Sequence, residues 1–73
     1  MIINQSRMSV VKVIEVLSES GVSWEDAAQQ AVTKASKTLH HIRSIYIQEH
    51  SAMVENGRIT RFRITAKISF ALD

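Results

Sequence analysis

The chain has 73 residues, 45% of them hydrophobic and 22% charged, which makes it one small globular domain at most and excludes a disordered segment. It contains no cysteine, so a disulfide framework and a cysteine-held zinc or iron–sulfur centre are excluded. Lys and Arg number 9 against 7 Asp and Glu, a net charge of +2; this small excess is a weak argument for nucleic acid, and no apolar run approaches the ~18 residues of a membrane span.

Residues 1–8 lack the apolar core and small-residue cleavage site of a signal peptide. They are read as an extension ahead of a single domain over 9–73, in a soluble, cytoplasmic protein. Val10–Leu17 is β-branched and free of glycine, the composition of a strand. Val11, Val13 and Leu17 fall on one of its faces; Val10, Ile14 and Val16 fall on the other. A strand apolar on both sides is usually covered on both.

The serine-rich stretch over 18–23 reads as a break, with Ser23 as a helix N-cap accepting from the Asp26 amide. Glu25 and Asp26 place negative charge on the first turn, where the helix dipole favours it. Trp24, Ala27, Ala28, Ala31, Val32, Ala35 and Leu39 recur at helical spacing. The pattern predicts a helix over 24–41, about 27 Å long, whose alanine stripe lets a sheet approach closely.

A second strand is predicted from Ile42 to Glu55, with Ile45 and Ile47 alternating with Ser44, Tyr46 and Gln48. Asn56-Gly57 is a strong type I′ hairpin signal. In the third strand Phe62, Ile64, Ala66, Ile68, Phe70 and Leu72 share one face, and Arg61, Arg63, Thr65, Lys67 and Ser69 share the other. The order is β-α-β-β, an α+β unit with one helix on one face of the sheet. Hairpin arms of this length reach about 40 Å, more than one ~27 Å helix covers. Small domains without disulfides or metals also gain missing burial by self-association. Both arguments predict an assembly.

Ser9-Val-Val-Lys-Val-Ile-Glu-Val-Leu17, Ser23-Trp-Glu-Asp-Ala-Ala-Gln-Gln-Ala-Val32, Ala35-Ser-Lys-Thr-Leu39 and Arg63-Ile-Thr-Ala-Lys-Ile-Ser-Phe-Ala-Leu72 together resemble the dodecin family. The resemblance spans about residues 9–73 and rests on the ordered set. It implies a three-stranded antiparallel sheet wrapped on one helix, with protomers forming trimers that join into a hollow homododecamer. It also implies a non-catalytic protein that binds, stores or buffers a small ligand or ion.

Most dodecins hold flavins stacked against a tryptophan early in the second strand, with a glutamine of the third strand on the flavin ring. Here the tryptophan position falls on Ser44 and the glutamine position on Arg63, so flavin of the usual kind is not expected. The helix opening Ser23-Trp24-Glu25, and Arg43 without a following tryptophan, are similar to the calcium dodecins, which makes calcium the ion to test. Its ligands cannot be carried over: Glu15, Glu19, Glu49, Glu55 and Asp73 are scattered, and only symmetry would gather them for an ion that wants six to eight oxygens.

The ligand-pocket candidates are Ser44, Tyr46, Gln48 and Arg63, the last suited to phosphate or carboxylate. Two alternatives stand beside this reading: a flavin-binding protein with an altered pocket, using Tyr46 and Arg63, and a structural shell that holds nothing. RNA would need exposed aromatics on the sheet face, and only Tyr46 qualifies. Adjacent His40 and His41 lack the i, i+4 spacing of helical metal pairs and read as a solvated helix end. His50 reads as a surface or interface residue, and Trp24 as a packing anchor. No serine sits in a nucleophile elbow, and an enzyme is not expected.

Overall fold

The computed structural model describes residues 10–72; the extension expected over residues 1–8, together with Ser9 and Asp73, lies outside the described residues. The elements are β1 (Val10–Ser20), α1 (Trp24–Ala35), β2 (Ile42–Glu55) and β3 (Arg58–Leu72). Strand β3 is central, flanked by β1 and β2, and both pairings are antiparallel. The β-α-β-β order and the three-stranded antiparallel sheet are as expected.

The alternation of β3 sets the two faces. Ile64, Ala66, Ile68 and Phe70 are buried under the helix, at 1%, 0%, 0% and 8% exposure. Across from them on β1 stand Ile14 opposite Ile68 and Val16 opposite Ala66. On β2, Ile45 and Ile47 face the same two β3 residues. Ala27, fully buried, presses onto this floor with Trp24 and Ala28 beside it. A methyl side chain at the contact lets helix and sheet approach closely, so the core forms from few large groups.

Strand β1 runs three residues beyond the expected Leu17, through Ser18, Glu19 and Ser20. Serine is a turn former by composition, but here the hydroxyls face the helix. Ser18 Oγ donates to the Ala27 carbonyl at 2.8 Å. Ser20 Oγ donates to Asp26 Oδ2 at 2.6 Å and accepts from the Val22 amide at 2.9 Å. Ser20 is only 5% exposed, so this network satisfies a buried hydroxyl and fixes the strand-to-helix turn. The Ser23 cap is as expected: its side chain accepts from the Asp26 amide at 2.9 Å.

The helix is shorter than expected, ending at Ala35 and not at 41. Ser36 Oγ donates back to the Val32 carbonyl at 2.7 Å, and the next amides bond at tighter spacing, Lys37 to the Lys34 carbonyl and Thr38 to the Ala35 carbonyl. Such a tightened last turn is how helices often close. His40 and His41 therefore lie in the link to β2, not on a helix. His41 takes a left-handed φ of 62°, and its carbonyl accepts from the Ala71 amide at 3.0 Å. That bond ties the link to the end of β3.

The hairpin turn is as expected, with positive φ at Asn56 (52°) and Gly57 (76°), the signature of type I′. Strand β1 stops opposite Phe62, and Trp24 at the helix start packs edge-on against Phe62 with ring centroids 4.9 Å apart. Beyond that point β2 and β3 continue alone as a two-stranded ribbon. The fold is accordingly elongated, 62 × 21 × 17 Å with a radius of gyration of 15.6 Å, where a compact chain of this length would have about 11 Å.

Candidate functional site

Strict alternation would place Ser44, Tyr46 and Gln48 in one row. The β2–β3 register shifts three times, and two of the shifts leave an extra residue on β2. Ile42 pairs with Phe70 but Ser44 with Ser69, leaving Arg43 extra; Ile47 pairs with Ala66 but Glu49 with Thr65, leaving Gln48 extra. Each extra residue is a bulge, which bends the strand and reverses the phase beyond it. Ser44, Tyr46 and Glu49 therefore face away from the helix, opposite Ser69, Lys67 and Thr65. Past Gln48, His50 and Ala52 occupy the helix side, opposite Ile64 and Phe62.

On the face away from the helix, Glu15 of β1, Thr65 of β3 and Tyr46, Gln48 and Glu49 of β2 line one depression of about 450 Å³. All three strands contribute, and every lining side chain carries oxygen. Tyr46 is 65% exposed, so its ring and hydroxyl are presented to solvent. Lys67 stands between Glu15 and Tyr46 in the register. Two carboxylates, a phenol, an amide and a hydroxyl are hard oxygen donors of the kind that suits calcium. Among the described residues no three His, Cys, Asp or Glu side chains gather at one point.

Of the expected pocket residues, the structure brings Tyr46 and Gln48 together at this depression. Ser44 flanks it on the same face, and its hydroxyl is engaged: Ser44 Oγ and Ser69 Oγ are 2.6 Å apart across the strands. Arg63 lies on the same face beyond Thr65, with Nε 3.0 Å from Glu19 Oε2. It is an ion-paired residue and not an open cation. Glu19 and Glu15 stand opposite Arg63 and Lys67 on β1, whereas Arg61 lies past the end of β1, opposite Met53 of β2.

Glu15, Glu49 and Thr65 were not expected in the pocket. A signal for Glu49 is present in the sequence. Ile45 and Ile47 sit at odd positions and Ala52 at an even one, which is compatible with one extra residue between them. Glu15 and Glu49, scattered in sequence, become two walls of one site by strand pairing within a single chain.

The remaining aromatic and histidine residues take structural places. Trp24 Nε1 donates to the Ser51 carbonyl at 2.9 Å, and its ring stands edge-on to His50 at 5.8 Å. Trp24 is thus the anchor that joins helix start to hairpin, as expected. Among the described residues Tyr46 is the aromatic side chain of the strands that faces away from the helix.

The sequence profile of the dodecin family (Dodecin) matches residues 10–73. The calcium dodecin of Mycobacterium tuberculosis is 39% identical over 66 residues, covering 89% of this chain and 92% of that protein. Among solved structures, the calcium-chelating immunodominant antigen calcium dodecin from Mycobacterium tuberculosis, described with a novel calcium-binding site, superposes with a TM-score of 0.76 at 36% identity, covering 89% of this chain and 93% of that one. The dodecin from Streptomyces coelicolor superposes with a TM-score of 0.84 at 26% identity over 89% of this chain and 93% of its own.

Proposed function

The chain belongs to the dodecin family, and on that premise we propose that it is a non-catalytic binding protein of the cytoplasm that assembles as a homododecamer and buffers a small ligand or ion, calcium foremost. The observation that carries the reading is the depression formed by Glu15, Tyr46, Gln48, Glu49 and Thr65. Its oxygen donors come from three strands, with one carboxylate on each outer strand. Tyr46 and Gln48 contact the bound species; Ser44 and Arg63 border it. The similarity to a protein named for calcium supports this choice of ion.

The chemistry is electrostatic. Calcium takes six to eight oxygens in flexible geometry, and one chain offers fewer. A neighbouring copy or water completes the shell, which makes binding and assembly interdependent.

Calorimetric titration of the assembled protein with calcium chloride tests the reading. Heat of binding and a raised melting temperature are expected, and both should be lost in the Glu15→Gln/Glu49→Gln double variant. Absence of heat and of any melting shift in the unaltered protein removes calcium. Quenching of riboflavin fluorescence by the same preparation would establish the flavin alternative in its place.

A further inference from the structure

Adjacent histidines on an α-helix point about 100° apart and do not share a metal. His40 and His41 are free of that restriction, because the helix ends at Ala35 and both residues fall in the link to β2, where they are exposed. Their ring centroids are 6.4 Å apart and the ring planes meet at 61°. Both line one depression of about 320 Å³, together with Thr38, Leu39 and the end of β3 at Phe70, Ala71 and Leu72.

The backbone is held on both sides of the pair. The Leu39 amide donates to the Ala35 carbonyl at 2.8 Å, and the His41 carbonyl accepts from the Ala71 amide at 3.0 Å. Between these bonds His41 adopts a φ of 62°, a left-handed conformation that a residue with a Cβ enters at a cost. Glycine would meet this φ freely, so the turn by itself does not call for an imidazole. Backbone held in such sparsely populated regions clusters at functional sites.

We infer that His40 and His41 form a site for a divalent transition metal of the zinc, nickel and copper class, held by one nitrogen of each imidazole with water in the remaining positions. Imidazole suits these ions, whereas calcium and magnesium take oxygen ligands. Two imidazoles that share a metal at about 2.0–2.1 Å per nitrogen place their ring centres about 5–6.5 Å apart, according to the angle at the metal. The observed 6.4 Å lies at the wide end of that range, and rotation of two exposed side chains between staggered rotamers brings the rings to a bent arrangement. The flanking cations Lys37 and Arg43 are exposed, so salt screens their repulsion of a metal ion. This depression shares no residue with the one lined by Glu15, Tyr46, Gln48, Glu49 and Thr65, so each site stands or falls without the other.

Calorimetric titration of the assembled protein with nickel chloride tests the assignment. Nickel uptake by the parent is expected, and His40→Ala and His41→Gly should each weaken it at least about tenfold. His41→Gly removes the imidazole while meeting the left-handed φ, so it should fold as the parent does by circular dichroism. His50→Ala and the Glu15→Gln/Glu49→Gln double variant should bind nickel as the parent does, the latter even if calcium binding is lost. No nickel uptake by the parent, unchanged uptake in either His40→Ala or His41→Gly, an equal loss in His50→Ala, or displacement of nickel by equimolar calcium chloride would overturn the assignment.

Discussion

Arg63 and Glu19 meet across the β1–β3 pair, with Arg63 Nε 3.0 Å from Glu19 Oε2 and each side chain about one-third exposed (35% and 34%). The Nε atom is itself buried and makes no aligned hydrogen bond, so the contact is an ion pair held by charge. It converts what reads in sequence as part of a basic, anion-attracting stripe into a locally neutral patch.

If that pairing is mainly Coulombic and half-solvated, Glu19→Gln should cost about 0.5–1 kcal/mol. Urea denaturation of the variant and the parent, at low and at high salt, measures it. The difference should shrink as salt rises; a larger, salt-independent loss would mean that Glu19 supports the fold by packing.

The helix start concentrates more stability than its length implies. Ser20 serves Asp26 and the Val22 amide while buried, so Ser20→Ala should cost about 1–3 kcal/mol through orphaned groups. Ser23→Ala removes only the cap bond to the Asp26 amide and should cost about 1 kcal/mol. Chemical denaturation ranks the two, and the reverse order would contradict the assigned network.

Trp24 offers a finer test, since it is the one tryptophan of the chain and its fluorescence reports the helix–hairpin junction. Trp24→Phe keeps an aromatic edge against Phe62 and loses the donor to the Ser51 carbonyl, a loss of about 1 kcal/mol. Trp24→Ala also empties the packing site and should cost about 3 kcal/mol or more. Equal effects of the two changes would show that the ring contributes little.

These elements show how much the residue pattern discloses. Strand β3 was legible because one face is wholly apolar and the turn before it is Asn56-Gly57, each a local signal. The helix start was legible through Ser23 and its acidic first turn. The helix end was not, because the apolar spacing continues to Leu39 while the decision lies in the Ser36 hydroxyl bonding back to Val32. Ser18 and Ser20 were misread as a break, since a serine hydroxyl satisfied by a helix looks in sequence like one satisfied by a turn. Of the residues lining the depression, Tyr46 and Gln48 stood among the expected candidates, whereas Glu15 and Glu49 needed the bulge at Gln48 and the central place of β3 to bring them to it.

Ser44, on the face away from the helix, yields a gain-of-function prediction. Ser44→Trp must break the Ser44–Ser69 hydroxyl contact, but Ser69 opposite it is small and leaves room for a ring. A stacked aromatic pair is worth about 0.5–1.5 kcal/mol, so riboflavin affinity should rise roughly 2- to 10-fold in a fluorescence titration. Unchanged affinity would place the determinant of flavin binding elsewhere on this face.

Native mass spectrometry of untreated protein at dilute concentration probes the whole account in one spectrum, because it weighs the assembly and whatever the assembly retains. A closed dodecamer carrying bound calcium is the predicted result. A stable, folded single chain would show that the projecting hairpin needs no neighbour, and would contradict the account at its base.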